Sequence, residues 1–117
     1  FFQQNNLINI FLITPQTSED RIRYIDSISD GFIYMVSSSS ITGGENNFNK
    51  KNIDYFKRIK NLKLKTPKII GFGISNRETF LTVNKYANGS IIGSAFIKHI
   101  QKNGISSIRS FVKGITS

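Results

Sequence analysis

No cysteine occurs anywhere in this chain. Disulfides and a thiolate zinc site are therefore excluded, and a reducing compartment is compatible with the composition. No apolar run approaches the roughly 18–20 residues that a membrane span needs. The opening Phe1-Phe2-Gln3-Gln4-Asn5-Asn6 has no basic stretch leading into an apolar one, so it does not read as a signal peptide. It also lacks an initiator methionine, from which we expect the chain to begin within a longer protein. No linker, low-complexity block or proline-rich stretch divides the 117 residues, so one domain or a piece of one is expected. Acidic residues are scarce: 7 against 16 basic ones, a net charge of +9. Such an excess invites a nucleic-acid reading. The cations, however, are scattered (Arg21, Arg23, Lys50, Lys57, Lys63, Lys68 and others) and fall where surface helices meet water. Lys, Asn and Ile abound throughout, as a biased nucleotide composition would produce. A solvated surface is the preferred reading, with neither nucleic acid nor membrane as partner.

What is present is enough apolar material for a core, 38% hydrophobic and 12% aromatic. It is concentrated in short runs: Asn9 to Thr14, Gly31 to Val36, Lys68 to Phe72 and Ser90 to Gly93. Each is nearly continuous rather than alternating, as strands buried on both faces are. A helical pattern follows each run. Thr17 or Ser18 caps the first helix, with Glu19 and Asp20 in its first turn and Ile22, Ile25 and Ile28 inward. After a loop from Ser37 to Asn49, a second helix spans about Lys51 to Lys60, with Ile53, Phe56 and Ile59 inward. Ser75 or Asn76 caps the third, with Phe80, Val83 and Tyr86 inward and Asn88-Gly89 ending it. Ser94 opens the fourth, which runs through Ile97 and Ile100 to Asn103-Gly104. A last amphipathic segment, Ser106 to Gly114, carries Ile108 and Phe111 or Val112. Four strand-helix units imply an α/β fold with parallel strands and right-handed crossovers. A doubly wound sheet and a (β/α)8 TIM barrel both fit; the barrel needs about 250 residues, so this chain would be half of one.

Two strand ends carry the chemistry. Gly71-Phe72-Gly73-Ile74-Ser75 closes the third strand and Gly93-Ser94-Ala95 the fourth. Glycine lets backbone approach an anion closely. The amides that open the following helix point at it, aided by the helix dipole, and serine adds a hydroxyl donor. One such turn is most simply a tight turn. Two in succession, each with a serine at the helix start, read as a phosphate cup.

The residues from about 7 to 103 resemble the tryptophan synthase alpha chain family. Ser37 to Asn46 (Ser-Ser-Ser-Ser-Ile-Thr-Gly-Gly-Glu-Asn) is similar to that family's long active-site loop. The Gly71 to Ser75 and Ile92 to Ala95 segments are similar to its last two strand ends, and Pro15 to Ser18 with Arg21-Ile22 to its strand-five exit. The resemblance implies the C-terminal half of a (β/α)8 barrel, strands five to eight with their helices. It implies a lyase of tryptophan biosynthesis that cleaves indole-3-glycerol phosphate to indole and glyceraldehyde 3-phosphate. A cytoplasmic location and a two-alpha, two-beta complex with the tryptophan synthase beta chain follow from it. That beta chain carries pyridoxal phosphate; no cofactor or metal is expected in this chain. By the same resemblance Tyr34 and Phe72 line the indole pocket, and Gly73, Gly93 and Ser94 hold the substrate phosphate. Thr42 helps close the loop and order a catalytic aspartate. Ser40 departs from the family's usual glycine, and its Cβ is expected to restrict loop closure.

Cleavage of the indole-glycerol bond needs a general acid at the ring and a base for the glycerol hydroxyl. The family's two catalytic carboxylates belong to strands two and three, upstream of anything here. Of the acidic residues present, Glu19, Asp20, Asp26, Asp30, Asp54 and Glu78 fall on helices or their flanks, and Glu45 in the long loop. His99, the sole histidine, is expected at a helix surface. We therefore expect no catalytic residue in these 117 positions, and activity only with the missing N-terminal half. The alternatives are a non-catalytic remnant, and a phosphate- or nucleic-acid-binding module.

Overall fold

A computed structural model describes residues 1–37 and 48–117. Four strands form one sheet: β1 (Phe11–Ile13), β2 (Ile33–Val36), β3 (Lys68–Gly71) and β4 (Gly89–Ser90). Between and after them come α1 (Glu19–Ile28), α2 (Lys50–Asn61), α3 (Arg77–Asn84), α4 (Ser94–Asn103) and α5 (Ile108–Thr116). The sheet order is β1-β2-β3-β4 and every pairing is parallel. A doubly wound sheet reverses its order at a switch point. This one never does, so it is an arc of a singly wound barrel.

The register explains which face is covered. Phe11, Ile33 and Lys68 align across the sheet, as do Ile13, Met35, Ile70 and Ser90. Ile13, Ile33, Met35 and Ile70 pack with Ile22 and Ile25 of α1, Phe56 and Ile59 of α2 and Val83 of α3. The alternate row, Leu12, Tyr34 and Ile69, lies on the other face, where Leu12 is 59% exposed. The strand runs read as buried on both faces, yet within the described residues the helices cover one. Their second apolar face is the concave side of the arc.

Helix starts and stops follow local chemistry. Ser18 caps α1 by accepting from the Arg21 amide, and Asn49 caps α2 by accepting from that of Asn52. Two apolar expectations fail for one reason. Spacing of three residues falls short of a full turn by about 60° per step, so a stripe written that way drifts off the buried side. Ile28 is exposed after Ile22 and Ile25. Ile97 is exposed, while Phe96 and His99 turn inward onto Phe111 of α5. Of Phe111 and Val112, Phe111 is the one that packs inward, with buried Ile115 one turn on. Tyr86 lies beyond the end of α3 but still packs on Phe56, with ring centroids 6.0 Å apart. The fourth strand is shorter and earlier than its apolar run, because Gly89 and Ser90 pair with Ile69 and Ile70.

Long-range polar contacts fix the arc at both ends. At the carboxyl end of β1, buried Tyr55 donates to the Ile13 carbonyl at 3.2 Å, and Arg58 donates to the Pro15 carbonyl at 3.0 Å. Burial holds the Tyr55 phenol above its usual range, against a smaller opposing effect of Arg58, so it stays a neutral donor. At the opposite end, the Asp26 carboxylate accepts from the Thr66 amide at 2.8 Å and the Lys65 amide at 3.1 Å.

Candidate functional site

The carboxyl ends of β2, β3 and β4 converge on a cleft of about 240 Å³. Tyr34, Phe72, Gly73, Ile74, Ser75, Ile91, Gly93, Ser94 and Ala95 line it. The five residues expected to hold substrate, Tyr34, Phe72, Gly73, Gly93 and Ser94, are thus brought together.

Each arrives for a local reason. Tyr34 stands on the concave face of β2, and its ring runs along that face over Gly71. A Cβ on Gly71 would coincide with the Tyr34 hydroxyl and ring edge. Gly71 is therefore a glycine because of Tyr34, which its sequence neighbours do not disclose. After Gly71 the backbone turns through two residues with positive φ, Phe72 at 69° and Gly73 at 76°. The turn lifts the Phe72 ring out of the sheet, where it is 54% exposed. There it meets Tyr34 edge-on, with centroids 6.1 Å apart and planes at 62°. Such a T-shaped pair is a favoured aromatic geometry and forms an apolar wall.

The other wall is backbone and hydroxyl. Gly93 precedes α4, and no described side chain caps that helix. The first bond back to its start runs from the Ile97 amide to the Gly93 carbonyl at 3.1 Å. The amides of the first turn are thus left for an external acceptor, and the hydroxyl of Ser94 stands beside them. The start of α3 differs. Asn76 and Thr79 form a capping box, and the Thr79 hydroxyl accepts from the amides of Ser75 and Asn76 at 3.0 and 3.1 Å. At α3 the amides of Ser75, Asn76 and Thr79 are thus bonded within the turn, whereas at α4 no described side chain takes up an amide.

The described lining carries neither an acidic nor a basic side chain. Glu19, Asp20 and Asp26 lie on α1, Asp54 on α2 and Glu78 on α3, while Asp30 precedes β2 at the far end of the sheet. His99 lies on α4 with its ring 4.9 Å from that of Phe111, packed between helices rather than at a free surface. Thr42, Ser40 and Glu45 lie outside the described residues. Sequence reasoning passed over Ser37 as the start of a loop. It is buried, and its hydroxyl donates toward the carbonyls of Gly71 at 2.7 Å and Phe72 at 2.5 Å. Its only signal was its place directly after the β2 run.

The model of the family "Tryptophan synthase alpha chain" matches residues 1–115. The tryptophan synthase alpha chain of Flavobacterium johnsoniae is 60% identical over 111 residues, covering 95% of this chain and 44% of that relative. That of Christiangramia forsetii is 59% identical over 114 residues, covering 97% and 44%. Among solved structures, a mutant tryptophan synthase alpha-subunit from Pyrococcus furiosus superposes with a TM-score of 0.78 at 28% identity, covering 97% of this chain and 46% of that one. A tryptophan synthase complex from the same organism gives 0.77 at 27% identity, covering 97% and 45%. The chain spans less than half the length of the curated relatives it matches.

Proposed function

The chain belongs to the tryptophan synthase alpha chain family, and from that footing we propose that it is the substrate-holding half of a lyase cleaving indole-3-glycerol phosphate to indole and glyceraldehyde 3-phosphate. One observation carries the reading: the cleft has an apolar aromatic wall, Tyr34 and Phe72, opposite an uncapped helix start with Gly93 and Ser94. A ligand with a flat aromatic end and an anionic end fits that division. Gly73 and Gly93 let backbone approach the phosphate, and the Ser94 hydroxyl adds a donor. With no charged side chain in the described lining, the anion is held by neutral donors and the dipole of α4. The indole end lies against Phe72 and Tyr34.

The acid and base of the cleavage come from the complementary N-terminal half, since none of the six described acidic residues lines the cleft. That same observation favours the second reading, a phosphate-binding half-barrel without activity alone. A beta chain carrying pyridoxal phosphate is the partner proposed for the completed barrel. To test the proposal, the chain is mixed with the N-terminal segment of the Flavobacterium johnsoniae relative and indole release from indole-3-glycerol phosphate is followed. Release by the mixture and by neither part alone is expected. A folded complex that releases no indole would sink the enzymatic reading and leave the second.

A further inference from the structure

The aromatic wall rests on a backbone conformation that is disfavoured for its residue type. Phe72 has φ of 69°, a left-handed conformation disfavoured for a residue with a Cβ. Such backbone persists where its surroundings fix it, and the group that does so here is on another strand. Ser37 follows the last residue of β2, opposite the point where β3 ends. Its amide donates to the Gly71 carbonyl at 3.2 Å, continuing the parallel ladder by one bond. Its hydroxyl bridges the carbonyls of Gly71 and Phe72 at 2.7 and 2.5 Å. With φ positive at Phe72, these two successive carbonyls both turn toward the one hydroxyl. The side chain is buried, 1% exposed, so water has little access to replace it.

We propose that Ser37 is the positioning residue of the aromatic wall, its hydroxyl fixing the backbone turn at Phe72 and so setting the Phe72 ring against Tyr34. The identity of the ligand rests on the function proposed above; the positioning does not. Without the hydroxyl, the part-buried Phe72 carbonyl loses its described donor and the buried Gly71 carbonyl keeps only the Ser37 amide. The turn then relaxes toward negative φ, and the Phe72 ring swings away from Tyr34. Contacts to a flat aromatic ligand weaken, whereas the anion-binding start of α4 lies on a separate element and is untouched.

The test uses Ser37→Ala and Ser37→Cys in this chain, the second nearly preserving shape while replacing a strong donor with a weak one. Low ionic strength keeps the positively charged copies apart. Ring-to-ring NMR contacts between Phe72 and Tyr34 are recorded, with the dissociation constants of indole and inorganic phosphate measured as separate probes. In the parent the ring contact is expected. In both variants it is lost and indole binds about 5–10-fold more weakly, with phosphate affinity unchanged. Retention of the ring contact and of parental indole affinity in folded Ser37→Cys overturns the proposal. Equal weakening of both probes also overturns it, because that marks general loosening of the fold. Should Ser37→Ala not fold, Ser37→Cys alone decides. If the parent binds neither probe, the functional reading fails while the ring contact still decides the role of Ser37.

Discussion

The glycines at 71, 73 and 93 look alike in sequence and answer to different demands. Gly71 yields space to Tyr34, Gly73 has φ of 76°, and Gly93 faces open space at the cleft. Their substitutions should separate. Gly71→Ala forces Tyr34 off its place and should cost about 1–3 kcal/mol in a denaturant titration, as overpacking does. Gly93→Ala meets nothing within 4 Å, so its unfolding free energy should stay within about 0.5 kcal/mol of the parent. Phosphate binding, read by isothermal titration, should still fall several-fold, because the added methyl stands where the anion approaches. The glycines were legible as a site but not as separate roles, since the reason for Gly71 is a side chain on another strand. Asp26 gives a pH prediction. Its burial alone would raise its pKa, but bonds from the Thr66 hydroxyl, the Thr66 amide and the Lys65 amide outweigh that and leave it lowered. A lowered carboxyl contributes stability above its unfolded pKa, about 3.9, and that contribution is lost as pH falls through the folded value below it. Urea midpoints measured downward from pH 5 should therefore fall less steeply in Asp26→Asn than in the parent.

Two helix starts face the cleft region with opposite chemistry. α3 is closed by Asn76 and Thr79. Asn76→Ala should cost about 1 kcal/mol in urea unfolding and leave phosphate binding alone. α4 begins at Gly93 with no described side-chain cap, forgoing the stability a cap confers. Alternation of strands and helices was visible in the sequence, because continuous apolar runs separated by cap residues have few other solutions. Which residues of a helix face inward was less visible. Ile28 and Ile97 satisfy a spacing rule, but the direction of burial is set by neighbours such as Phe111 that local pattern does not locate. The choice between an open sheet and a barrel arc needed the strand order, which no local feature encodes.

Taken whole, the molecule is an arc with one apolar face packed and one open. Leu12 and Ile69 lie on the open face, and among the described residues β1 and β4 each leave an edge unpaired. Unpaired edges beside apolar surface invite association, while a net charge of +9 opposes pairing of like copies. Salt screens that repulsion, so sedimentation should show the chain self-associating as ionic strength rises. A complementary half that covers the face should abolish this. The strand order also has a kinetic meaning. Every strand pairs only with the one next to it in sequence, so each strand-helix unit can be templated by the unit before it. No strand pair in the arc must wait for a distant one, which keeps the loop-closure cost of each step low. The arc is then an assembled species with its concave face bare, and how long it stays soluble limits how much folded chain accumulates.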